Sequence, residues 1–144
     1  MRFEKSSGIK VKVLQEQRQF VAAADMITAA LQKENVIGYD IFDGEQLVGF
    51  VMLRKYDDEE TGETRWFLWE YAIDSAFQGR GYGKKALVEI IDFMRRDFDM
   101  KIMTTTYIWG NEAAKNLYES MGFAETDVVD EPDCHEVNMI YRCE

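Results

Sequence analysis

Gln78-Gly79-Arg80-Gly81-Tyr82-Gly83-Lys84-Lys85 decides how this chain is read. Before it lies Thr64–Asp74, TRWFLWEYAID, an almost unbroken apolar run of strand length. Such a run suits a central strand buried on both faces. After it, Leu87, Ile90, Ile91 and Met94 repeat at the spacing of one helix face across residues 82–98. Glycines at alternate positions in the connecting turn remove Cβ obstacles and permit positive φ. Consecutive backbone N–H groups can then converge on one anion, and the helix start adds the positive end of its dipole. Arg80, Lys84 and Lys85 add full positive charge. The turn reads as a cradle for phosphate or diphosphate, set against the plainer reading of a strand–helix connection. It is neither common nucleotide loop. The dinucleotide fingerprint needs glycine where Lys84 stands. The P-loop needs glycine where Gln78 stands and Ser or Thr where Lys85 stands.

The neighbouring segments extend the pattern. Residues 36–42 (VIGYDIF) and 46–55 (QLVGFVMLRK) are β-rich runs separated by Asp43-Gly44, a hairpin signal. The acidic run Asp57–Glu60 before Thr61-Gly62 reads as a hairpin loop. Residues 101–108 (KIMTTTYI) are strand-like. Asn111 is a good N-cap for a helix over 112–121, whose apolar face is Ala114, Leu117, Tyr118 and Met121 and whose stop is Gly122. Phe123–Asp127 and Glu136–Arg142 complete the strands. Near the N-terminus, residues 2–5 form a short strand, and Phe20, Ala23, Ala24, Ile27, Ala30 and Leu31 give helical spacing over 17–33. The expected order is β-α-α-β-β-β-α-β-α-β-β, a mixed α/β layer structure. With 144 residues, one proline and no linker or repeat, residues 1–144 are expected to form one domain.

Composition narrows the function classes. Hydrophobic residues at 47% and aromatics at 13% exclude a disordered chain. Twenty-seven acidic against 17 basic residues give a net charge of −10, a field that repels nucleic acid and favours cationic substrates. No apolar run reaches membrane-span length, and the N-terminal segment lacks the apolar core of a signal peptide. A cytoplasmic protein without membrane contact is expected. Cys134 and Cys143 read as reduced thiols. The lone histidine, His135, lacks the spaced ligand set of a metal site, so no metal is expected.

Two stretches together resemble the GCN5-related N-acetyltransferase (GNAT) family. Gln78-Gly79-Arg80-Gly81-Tyr82-Gly83 looks like its Gln/Arg-x-x-Gly-x-Gly/Ala loop. Asn111 followed by Leu117-Tyr118-Glu119 and Gly122-Phe123 looks like its later signature. The resemblance covers about residues 36–142 and is most like bacterial spermine/spermidine acetyltransferase-type members; the N-terminal third is shorter than the family's usual one. It implies a mostly antiparallel sheet flanked by helices, acetyl-CoA as co-substrate, a small amine as acceptor with polyamines first, and a possible homodimer. The loop from Gln78 through Gly79, Arg80, Gly81, Tyr82, Gly83 and Lys84 would hold the diphosphate of coenzyme A. Backbone groups of Ala72 and Ile73 would pair with the pantetheine arm between splayed fourth and fifth strands, Asn111 would bond that arm, and Tyr118 would sit by the sulfur. The alternatives are acetylation of a protein or peptide amine, and a non-catalytic acyl-CoA-binding module.

Amide formation from a thioester needs a neutral amine, a bonded oxyanion and a proton for the leaving thiolate. An amine of pKa near 10 is largely protonated at neutral pH, so a carboxylate must take its proton. Glu70 is the only charge within Trp66–Ile73. It reads as base or amine contact, or else as a salt-bridge partner of Arg54 or Lys55 or a side chain at a wet edge. Tyr118 is the candidate acid, against a plain core tyrosine, and a strand amide near Ile73 would hold the oxyanion. Trp66, Trp69 and Trp109 are expected in the core or on a dimer surface.

Overall fold

The computed structural model describes residues 1–143. Its elements are β1 (Arg2–Lys5), a 3-10 turn (Gln15–Phe20), α1 (Ala24–Ala30), β2 (Val36–Asp43), β3 (Gln46–Asp57), β4 (Thr64–Ile73), α2 (Tyr82–Phe98), β5 (Ile102–Ile108), α3 (Glu112–Met121), β6 (Ala124–Glu131) and β7 (Cys134–Arg142). The seven strands form one sheet in the order β1-β2-β3-β4-β5-β7-β6. Every neighbouring pair is antiparallel except β4–β5. This is the mixed α/β structure expected from the residues, with the mostly antiparallel sheet and flanking helices that the family resemblance implied.

α2 supplies the larger half of the core. Ala86, Leu87, Ile90, Ile91 and Met94 are buried along one stripe and pack with Val51, Leu53, Trp66, Leu68 and Met103. A second, smaller cluster joins Ile27 and Ala30 of α1 and Val11 to Phe50, Met52 and Ala72. The sheet is thus covered by α2 and α3 on one face, and by α1 with the N-terminal segment on the other.

Two expectations change. The helical spacing over 17–33 resolves into the 3-10 turn and α1, with Val21 and Ala23 extended between them. The cause is tertiary: the Ala22 N–H donates to Glu70 Oε1 at 3.3 Å, a bond that continued helix would forbid. β4 is a central strand with buried residues on both faces, Trp66, Leu68 and Ile73 toward α2 and Glu70 and Ala72 toward α1. Trp66, Leu68, Glu70 and Ala72 are buried, while Phe67, Trp69 and Tyr71 are half-buried. The last hairpin is longer than the expected strands 123–127 and 136–142, because β6 is an edge strand and tolerates Asp127, Asp130 and Glu131 facing solvent. The acidic β3–β4 connection is a loop as expected, with Asp58 Oδ2 accepting the Thr61 N–H at 3.0 Å. Cys134 and Cys143 are free thiols.

Candidate active site

β4 and β5 part company partway along their length. They pair only over Trp66–Leu68 against Met103–Thr105, and the Thr105 hydroxyl donates to the Leu68 carbonyl at 3.1 Å where the pairing ends. Beyond it β4 stays with β3 and β5 stays with β7, so a wedge opens between them. The register then decides which backbone groups face the wedge. The Asp74 N–H donates to the Val48 carbonyl at 2.8 Å. By strand alternation Ala72 and Glu70 also turn their main-chain groups to β3, and Tyr71 and Ile73 turn theirs to the wedge. Ile73 is therefore placed to bond an extended arm, whereas Ala72 is not: its carbonyl oxygen would lie 3.0 Å from a Cβ at Gly49 on β3. Gln78 contributes from the turn, its Nε2 donating to the Ile73 carbonyl at 3.0 Å.

A β-bulge re-aims the side chains of β4. Met52 faces Glu70 and Leu53 faces Leu68, so Trp69 is the extra residue. Such an insertion shifts the alternation of every residue beyond it. Trp66 and Leu68 pack on the α2 side, as do Tyr71 and Ile73, while Trp69 and Ala72 pack on the side of α1. Glu70 is carried to that second side, against Ala22.

The wedge widens into a cleft of about 760 Å³ lined by the N-terminal segment from Val13 to Val21, by β4, by the end of β5 and by α3. Glu70, Ile73, Gln78, Gly83, Asn111 and Tyr118 all line it. Glu70 is only 9% exposed and forms no ion pair among the described residues. Burial pushes its carboxyl up to about 7, partly offset by the Ala22 amide. The two cations offered as partners lie elsewhere, Arg54 beside the rings of Tyr56, Phe67 and Trp69 and Lys55 over Trp66. Tyr118 both packs on Phe123, with ring centroids 5.4 Å apart, and lines the cleft. Burial raises its hydroxyl above the usual tyrosine value; a Thr105 hydrogen bond opposes that, and the charge of Glu70 adds to it. Asn111 Oδ1 accepts the Ala114 N–H at 3.3 Å, which caps α3 and leaves its amide nitrogen for the cleft. The tryptophans separate: Trp66 is core, Trp69 lines the cleft, and Trp109 is 48% exposed and stacks on His135.

The glycine turn continues the cleft at the start of α2. Gly79 and Gly81 have φ of 75° and 79°, and a Cβ on either would meet nothing within 4 Å. The conformation demands glycine, and the space above it is open. The first intrahelical bond of α2 is Lys85 N–H to the Gly81 carbonyl at 3.1 Å, so the amides of Tyr82, Gly83 and Lys84 point outward as free donors. Arg80, Lys84 and Lys85 are exposed and form no ion pair among the described residues. Two tyrosine side chains fix the turn, Tyr82 of the loop itself and Tyr71, which the sequence did not mark. Tyr71 donates to the Gly83 carbonyl at 2.6 Å, and Tyr82 donates to Asp43 Oδ2 at 2.6 Å. Open cradle, free amides and cations together fit a diphosphate, and the backbone edge of β4 fits an extended arm leading from it. Residues 10–123 match the acetyltransferase (GNAT) family.

The chain belongs to the GNAT acetyltransferases.

A GNAT family acetyltransferase from Elizabethkingia anophelis, solved with acetyl-CoA bound, shares this fold: TM-score 0.71 at 15% identity, covering 99% of this chain and 97% of that one. In sequence, 69 residues are 38% identical to N-alpha-acetyltransferase 30 of Saccharomyces cerevisiae, spanning 48% of this chain and 39% of that protein. Another 33% identity over 79 residues links the chain to spermine/spermidine N(1)-acetyltransferase of Bacillus subtilis, spanning 54% of this chain and 52% of that protein. The chain thus spans about half or less of the length of these two curated relatives. In this GNAT chain the glycine turn also bears on stability. Gly81→Ala forces an alanine into left-handed backbone, at a cost of about 1–2 kcal/mol. Coenzyme A affinity, measured calorimetrically, is expected to fall roughly tenfold with kcat at saturation unchanged.

Proposed function

We propose that the protein transfers an acetyl group from acetyl-CoA to a cationic amine, with polyamines the first acceptor class. One observation carries the reading: Glu70, a desolvated carboxylate poised at about 7, shares a cleft with the Tyr118 hydroxyl at the open edge of β4. The turn from Gly79 to Lys84 would hold the diphosphate, and Ile73 and Asn111 the arm. Acetyl-CoA supplies the thioester carbonyl. Glu70 takes the proton of the incoming ammonium, which frees the lone pair that forms the C–N bond. The outward amide of Ile73 is placed for the negative charge that develops on the carbonyl oxygen. As the C–S bond breaks, Tyr118 gives its proton to the thiolate; its raised pKa keeps that proton in place until then.

Charge supports this acceptor class. Among the described residues, the charged side chains that line the cleft are Glu16, Glu70 and Glu136, with no Lys or Arg. Carboxylates in a half-closed cleft favour ammonium groups and disfavour anionic acceptors. Likeness to the yeast N-alpha-acetyltransferase supports a second reading, a peptide N-terminal amine. Acetyl-CoA turnover against polyamines, aminoglycosides, amino acids and peptides tests both. Free-thiol release is expected with di- and polyamines at lower KM than with monoamines. Preference for peptides would favour the second reading, and no release with any amine would favour a non-catalytic module.

A further inference from the structure

The acceptor wall of the cleft is a strap held at its two ends. At one end Asp74 Oδ2 accepts the Lys12 N–H at 3.0 Å, and the Ser75 N–H donates to the Lys12 carbonyl at 2.7 Å. At the other, Ala22 donates its N–H to Glu70. Between the two pins runs the 3-10 turn, which buries no residue of its own. Outside it, Val13, Val21 and Ala22 pack on the smaller core cluster, so the turn itself is held mainly from its ends. Yet this stretch carries Glu16, Gln17 and Phe20, which line the cleft.

The first pin belongs equally to the phosphate turn. The other oxygen of Asp74, Oδ1, accepts the Ala76 N–H at 2.9 Å and caps the 3-10 turn Ser75–Phe77 that leads into Gln78 and the glycines. The Asp74 N–H is fixed to β3. One residue thus joins three things: its N–H holds the sheet, and its carboxylate holds the entry to the diphosphate cradle and the root of the acceptor wall.

We propose that Asp74 is a positioning residue that couples the two substrate sites, so that coenzyme A seated on the glycine turn orders the strap from Lys12 to Ala22 and tightens acceptor binding. The inference rests on the functional reading above. Diphosphate on the turn restrains residues 75–83; that restraint reaches Lys12 through both oxygens of Asp74 and through the Ser75 N–H. A strap already ordered costs the acceptor less entropy on binding. By linkage the acceptor must raise coenzyme A affinity by the same factor.

Hydrogen exchange of residues 12–22, with and without coenzyme A, tests this in the parent, in Asp74→Ala and in Asp74→Ser. Serine can still cap Ala76 but is too short to reach Lys12 as well, so it separates capping from coupling. In the parent, coenzyme A should slow exchange across the strap about tenfold, in line with ordinary coupling energies. In Asp74→Ser, where only the Ser75 N–H still reaches Lys12, the slowing should drop to about threefold or less while coenzyme A affinity stays within about threefold of the parent. The amine KM should rise about tenfold in that variant with kcat little changed. Strap exchange indifferent to bound coenzyme A in the parent would overturn the proposal, as would protection retained in both variants. Failure of the parent to bind coenzyme A at all would overturn the functional reading with it.

Discussion

Glu70→Gln is expected to remove the rising limb of the pH–rate profile and to lower kcat/KM at neutral pH by a factor of about 10²–10⁴, the usual share of a general base. The parent should show kcat/KM climbing through a pH near 7, where the buried carboxyl ionises. Stability should move the other way. The carboxyl is raised in the folded protein, from 4.5 to about 7. Folding therefore favours its protonated form. That contribution is complete below pH 4.5 and is lost as pH rises through 7. Above pH 7 the ionised side chain costs about 3 kcal/mol, which a neutral glutamine of the same shape avoids. Glutamine can also keep the bond from Ala22. Melting curves at pH 8 should thus place Glu70→Gln roughly 5–10 °C above the parent, converging near pH 4.5. A salt-bridged structural glutamate would give the reverse, a destabilised variant with intact rates. Stability given up at one carboxylate in return for activity is the pattern expected of a functional site.

The second large effect is at Tyr118. Removing its hydroxyl as Tyr118→Phe keeps the ring that packs on Phe123, so stability should change by less than about 1 kcal/mol. Turnover should fall roughly 10²-fold or more while coenzyme A affinity by calorimetry stays within about twofold. The fall should be smaller for thioesters whose thiol is more acidic, since a better leaving group needs the proton less. Equal turnover in variant and parent would return Tyr118 to the core. Tyr71 cannot take its place without giving up its bond to Gly83.

The elements that the sequence disclosed are those whose signals are local. α2 starts and stops at 82 and 98, as its apolar stripe requires, and α3 runs between the Asn111 cap and the Gly122 stop at φ 100°. The glycine turn was legible because positive φ leaves few alternatives to glycine. What stayed hidden depends on partners far away in the chain. The break at Val21–Ala23 answers to Glu70, 48 residues downstream of Ala22. The bulge at Trp69 arises from the match with β3, and no residue of TRWFLWEYAID announces it. That bulge fixes which face Glu70 takes, and the β3 register fixes that Ile73 rather than Ala72 opens onto the wedge. Asp74 reads in sequence as an ordinary strand-end aspartate; only the approach of Lys12 reveals its second bond.

A crystal structure with bound acetyl-CoA tests the central claim most directly. The account predicts diphosphate oxygens within hydrogen-bond reach of the amides between Gly79 and Lys84, the pantetheine arm along the Ile73 edge, and the sulfur beside the Tyr118 hydroxyl. Acetyl-CoA seated elsewhere on the molecule, with the glycine turn empty, would contradict it.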